Sequence, residues 1–121
     1  MTITGSQYIA DTTSRQGSTV FYSVNPRSGV RGSEFANATP DEINRAVQAA
    51  QEAYTLMRSV PAARLAGLLD AIALAIEAIG DDLLALTDEE TGLGIPRLTG
   101  ERARTTGQLR KFAGLLREGS Y

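Results

Sequence analysis

The sequence predicts a mainly α-helical chain with an N-terminal β-hairpin, and three observations predict it. β-branched and aromatic residues gather in two short runs ahead of residue 25. From Thr39 onward apolar residues recur at three- and four-residue spacing. Pro61, Gly80 and Gly92 punctuate those apolar stretches, and such residues start and stop helices. A chain of 121 residues can bury one modest core but not two complete layered domains. Its 42% hydrophobic and 21% charged content belongs to a globular protein, which excludes a disordered tail.

The β-rich runs are Gln7 to Ala10 and Thr19 to Val24, separated by a polar stretch from Asp11 to Ser18. An antiparallel hairpin is their simplest connection. Asn25-Pro26-Arg27-Ser28-Gly29 reads as a turn, with Pro26 presetting φ and Gly29 accepting a left-handed backbone. Two strands this short need a third strand or a packed layer. Thr39-Pro40-Asp41-Glu42 then starts a helix: Thr39 caps, Pro40 suits the first helical position, and Glu42 completes a capping box. Ile43, Ala46, Val47, Ala50, Ala53, Tyr54 and Met57 give this helix an apolar face to about Met57.

A second helix is expected from about Pro61 to Ile79, with a stripe of Leu65, Leu68, Leu69, Ile72, Ile76 and Ile79 and with Gly80 as its stop. Leu74 and several alanines carry apolar surface round to its other sides, so it should be covered on most of them. Asp81-Asp82 opens a shorter helix to Glu90, closed by Gly92. Acids suit its start, but Asp88, Glu89 and Glu90 at its end oppose the helix dipole and call for basic neighbours. The last helix is expected from near Arg97–Thr99 to about Glu118, with Ala103, Thr106, Leu109, Phe112, Ala113 and Leu116 in its pattern. Gly100, Gly107 and Gly114 recur every seven residues along it, which suggests either a smooth groove for close backbone approach or chance. The division expected is a β segment over 1–38 and a helical segment over 39–121.

The chemistry is bounded by what the chain lacks. With no Cys there is no thiolate nucleophile, disulfide or Cys-based zinc site; with no His there is no imidazole base. Residues 1–38 carry three Arg against two acids, 39–95 three Arg against ten acids, and 96–121 six bases against two acids. Internal pairing between neighbouring helices explains this better than nucleic-acid or membrane contact. No targeting segment is visible at Met1-Thr2-Ile3-Thr4, and charged residues interrupt the apolar stretch 62–79, so a cytoplasmic protein without a membrane span is expected. Gly92-Leu93-Gly94-Ile95-Pro96-Arg97 lacks the third glycine and preceding strand of a dinucleotide loop, and reads as a turn between helices. The acid pairs at 81–82 and 89–90 do not converge on one face, so no metal site is expected. Among Arg102, Arg104 and Arg110, Arg104 shares a face with Gln108 four residues on. That pair is able to bind a carboxylate, bidentate through the guanidinium, but the sequence alone favours surface charge that answers the acidic middle segment.

Several of these segments resemble known ones. Tyr8-Ile9, Val24-Asn25-Pro26 with Gly29, and Ala38 to Ile43 with Ala46-Val47 look like the start of an aldehyde dehydrogenase. So do Arg64 ahead of Leu68-Leu69, and Glu90-Thr91-Gly92. The stretch Gly100 to Arg110 with Phe112-Ala113 is more specific, and is similar to the α-ketoglutaric semialdehyde (2,5-dioxovalerate) dehydrogenase branch. The resemblance covers essentially the whole chain. It implies the N-terminal piece of a longer α/β enzyme that uses NAD or NADP, with a cysteine nucleophile and a glutamate base lying downstream. No catalytic, cofactor-binding or metal residue is carried over to this chain. The resemblance further implies that 1–38 belongs to an oligomerisation region and that 39–121 packs on the cofactor domain. By the same token the last helix borders the aldehyde tunnel, with Arg104 facing substrate and Gln108 sharing it. The partners implied are the remainder of the dehydrogenase chain or a second copy, and a small aldehyde; neither nucleic acid nor membrane is among them. The alternative is a free-standing helical interaction module whose basic last helix binds an acidic partner.

Overall fold

A computed structural model describes residues 3–120, which form two compact units, 3–59 and 60–120. In the first, β1 (Gln7–Ile9) pairs antiparallel with β2 (Thr12–Ser14), and β3 (Val20–Val24) with β4 (Arg31–Ala36); α1 (Pro40–Met57) follows. There are thus two hairpins, not one. The 7–10 run does not pair with the 19–24 run, because each strand turns back on its own sequence neighbour. The turn at Ala10-Asp11 places Ala10 at φ +52, a conformation non-glycine residues seldom take. β2 was hidden by its composition, Thr-Thr-Ser, and β4 by its opening Arg-Gly-Ser-Glu.

The Asn25–Gly29 turn behaves as its residues dictate. Asn25 Oδ1 accepts the backbone N–H of Arg27 at 2.9 Å and of Ser28 at 3.2 Å, and Gly29 sits at φ +71. Across the second hairpin Phe21 faces Phe35, their rings stacked with centroids 5.3 Å apart. Two glycines let neighbouring backbone lie against the end of β4. A Cβ on Gly17 would meet the Asn37 carbonyl oxygen at 1.8 Å, and one on Gly5 would meet that of Glu34 at 1.9 Å.

The capping box at the start of α1 forms in both directions: Glu42 N donates to Thr39 Oγ1 at 3.2 Å, and Thr39 N to Glu42 Oε2 at 2.8 Å. Glu42 does more than cap. Its side chain is buried, and Oε1 accepts the backbone N–H of Gln16 at 3.0 Å, fastening the segment after β2 to the helix. The Ser14 hydroxyl, then the Thr39 and Gln16 amides, lower its pKa to about 2 from the usual 4.5. The rest of the α1 apolar face stays uncovered within this unit, with Ile43, Val47 and Tyr54 exposed.

The second unit is α2 (Ala62–Ala78), α3 (Asp81–Thr91) and α4 (Ile95–Glu118). α4 starts earlier than expected, because Pro96 serves as a first-turn residue and does not lengthen the preceding turn. α2 and α4 run antiparallel, as their ion pairs require: Glu77 holds Arg110 through two bonds of 2.7 Å, and Asp70 holds Arg117 a turn or two further along. The seam between them is built from small residues. Ala66 and Ala73, seven apart on α2, and Ala113 on α4 have no exposed surface, and Thr106 is almost as buried. Small side chains let two helix backbones approach closely. This corrects the expected leucine stripe: Leu65, Leu69 and Ile76 flank the seam half-buried, while Leu68, Ile72 and Ile79 are exposed. Nor is α2 covered on most sides, since Leu74 is 61% exposed within this unit.

Acidic and basic segments meet on α2, through Glu77 with Arg110 and Asp70 with Arg117. Glu89 and Glu90 are exposed and make no ion pair among the described residues. No helix among the described residues is long and apolar enough to cross a membrane.

Candidate functional site

The seven-residue repeat of α4 produces two different faces. One carries Thr106 and Ala113 into the seam with α2, and places Arg110 and Arg117 on the α2 acids. Arg102 joins this structural set, donating through Nη1 to the Gly80 carbonyl at 2.8 Å, where α2 ends. Of the three arginines singled out by sequence, two therefore hold helices together.

Arg104 is different. It lies on the opposite face with Gln108, as their four-residue spacing requires, and both line a shallow groove, open to solvent, whose lining residues all belong to α4. Gly107 and Gly114 form one flank of the groove, Phe112 and Leu115 the other. Nothing lies within 4 Å of where a Cβ would stand on Gly100, Gly107 or Gly114, so these glycines face open space and bring no second backbone against α4. Phe112, expected in the packed pattern, is half exposed and forms part of this wall.

The groove is basic at its centre. Arg104 Nε and Nη2 both donate to Glu101 Oε2, at 3.0 and 2.7 Å, and its side chain is 71% exposed. Arg104 thus pairs with an acid one turn back on its own helix. Lys111, one turn beyond Gln108, also lines the groove and has no ion pair among the described residues. Sequence reasoning missed Lys111, although its distance of seven from Arg104 was the signal: seven residues are close to two full helical turns. A guanidinium, a carboxamide and an ammonium share this exposed face with Phe112 and Leu115, and the Glu118 carboxylate lies at its far end; the first three are groups able to meet a small anion.

The other candidates resolve into structure. Gly92 ends α3 in a left-handed conformation at φ +68, and Gly94 N donates to Asp88 Oδ1 at 2.8 Å. A helix precedes this turn and a carboxylate occupies one of its amides, so it does not fit a dinucleotide pyrophosphate. The described residues contain no cluster of three or more acids, His or Cys able to hold a metal ion. The hydroxyls of Thr87, Thr91, Thr99 and Thr106 donate to carbonyls of their own helices.

Comparison with known proteins sets this geometry in a family. The chain is 45% identical over 87 residues to the α-ketoglutaric semialdehyde dehydrogenase of Acinetobacter baylyi, a stretch that covers 72% of this chain and 16% of that protein. It is 44% identical over 87 residues to α-ketoglutaric semialdehyde dehydrogenase 2 of Azospirillum brasilense, covering 17% of it. The matched stretch is therefore about a sixth of each relative's length. The family model described as the aldehyde dehydrogenase family matches residues 12–121, taking in β2 to β4 and all four helices. By that match, and by the identity to two semialdehyde dehydrogenases, this chain belongs to the aldehyde dehydrogenase family.

Proposed function

We propose that this chain is the N-terminal segment of an NAD(P)-dependent, cytoplasmic dehydrogenase that oxidises a semialdehyde such as α-ketoglutaric semialdehyde. In this reading its catalytic machinery and cofactor site lie in the remainder of the protein. The observation that carries the substrate class is the exposed face of α4, where Arg104 and Gln108 stand one turn apart beside Phe112 and Leu115. An aldehyde with a distant carboxylate presents its acid to that pair and its reactive end away from it. A charge-assisted hydrogen bond of this kind is worth about 1.5–3 kcal/mol, or roughly ten- to a hundredfold in kcat/KM.

Two further features support a partner in the remainder of the dehydrogenase chain. Ile43, Val47 and Tyr54 leave the outer face of α1 apolar, and Leu68 and Leu74 do the same on α2. On the family pattern, 1–38 belongs to the oligomerisation region and 39–121 packs on the cofactor domain.

The test compares two purified proteins. The 121-residue chain alone is expected to produce no aldehyde-dependent NAD(P)H. A longer protein that continues this chain with a Cys-containing body is expected to produce it, and faster from an acidic semialdehyde than from a neutral aldehyde of equal length. Turnover by the short chain, or equal rates on the two aldehydes, would overturn the reading.

A further inference from the structure

We infer that Glu101 tunes the affinity of the α4 groove for a carboxylate by competing with the ligand for Arg104. This rests on the reading of Arg104 as the carboxylate anchor. A guanidinium offers two edges for bidentate bonding, Nε with Nη2 and Nη1 with Nη2. Glu101 Oε2 fills the first, accepting from both Nε and Nη2. An incoming carboxylate has two choices. It displaces Glu101 from that edge, or it settles on the second edge with an anion already beside the same guanidinium. Either course weakens its binding.

Glu101 is positioned to act this way continuously. Its bond to Arg104, then the charge of Arg104, lowers its pKa, so it stays ionised at neutral pH. It does not line the groove, so it works through Arg104 and is a positioning residue. The pair is also loose enough to exchange partners, since both side chains are well exposed, at 71% and 42%. Pairs this exposed are weak and screened by salt. Lys111 makes no ion pair among the described residues, and the Glu118 carboxylate lines the same face two turns further on.

Glu101→Gln keeps the size and one acceptor oxygen but removes the charge. In the complete dehydrogenase carrying this segment, it should lower KM for a carboxylate-bearing semialdehyde by about two- to fivefold relative to a neutral aldehyde of equal length. kcat should change little, because the bond is the same in ground and transition states. Glu101→Asp, which keeps the charge, should stay near wild type, and Arg104→Met should shift the ratio the other way. If Arg104→Met shifts the ratio but Glu101→Gln does not, or if Gln and Asp act alike, the competition is refuted and the Arg104 reading stands. If Arg104→Met leaves the ratio unchanged, both fall. A second measurement is independent of turnover: glutarate titrated into the labelled 121-residue chain, followed at the Arg104 Nε–H resonance. Tighter binding in Glu101→Gln supports the competition, and equal or weaker binding overturns it.

Discussion

Two substitutions six residues apart on α4 should have opposite effects, because one falls in the helix seam and the other on an open face. Ala113 has no exposed surface and sits in the α2–α4 seam, whereas a Cβ on Gly107 meets nothing within 4 Å. Ala113→Leu forces three more carbons between two closely apposed helices, at a cost of about 1–3 kcal/mol from overpacking. Gly107→Ala relieves the entropic penalty of a helix-interior glycine and should gain up to about 1 kcal/mol. In a unit of this size each kcal/mol moves the melting temperature by roughly 4–8 °C. Thermal unfolding of the 121-residue chain, monitored by the helical circular dichroism signal, reads both. The expected result is a fall of several degrees for Ala113→Leu and a rise for Gly107→Ala. A loss of stability in Gly107→Ala together with a neutral Ala113→Leu would mean that the faces have been interchanged. The groove would then be the packed side, and the site assignment would fail with it.

Acid should loosen both units. Glu42 and Glu77 have pKa values lowered from 4.5 to about 2, Glu42 chiefly by Ser14 and the Thr39 and Gln16 amides, Glu77 chiefly by Arg110. A depressed carboxyl pKa contributes stability above the unfolded value, and this is lost as pH falls from about 4.5 towards 2. Hydrogen-exchange protection at Gln16 and Thr39, measured against the intrinsic rate at each pH, should therefore fall across that range, and Glu42→Gln should abolish this pH dependence while leaving α2 and α4 unaffected. Gly17→Ala, whose Cβ would stand 1.8 Å from the Asn37 oxygen, should expose the β3–β4 amides to exchange; unchanged protection would contradict the close approach.

The sequence was most legible where a single residue's chemistry decides a local structure. Thr39, Pro40 and Glu42 specify the start of α1 whatever packs against it, and Gly29 and Gly92 specify their turns. It was least legible where the decision depends on a partner. The leucines of α2 carry more apolar area than Ala66 and Ala73, so they look like the core. The seam goes to the alanines because two helices pack closer on small residues than on large ones. The first hairpin differs from expectation for a similar reason: Thr12–Ser14 has no apolar pattern of its own and is a strand only because β1 lies beside it. In the groove, the face shared by Arg104 and Gln108 follows from spacing alone. That Arg102 and Arg110 belong to the scaffold does not, since their partners lie 22 and 33 residues away.

The central claim is that Arg104 reads a carboxylate on the aldehyde, and steady-state kinetics of Arg104→Met in the complete dehydrogenase test it most directly. Substrates should be an acidic semialdehyde and a neutral aldehyde of equal length, with the melting temperature of the variant measured alongside. The result expected is a loss of roughly ten- to a hundredfold in kcat/KM confined to the acidic substrate, with the melting temperature unchanged. Equal losses on both substrates, with a lower melting temperature, would leave Arg104 as part of the scaffold and contradict the claim.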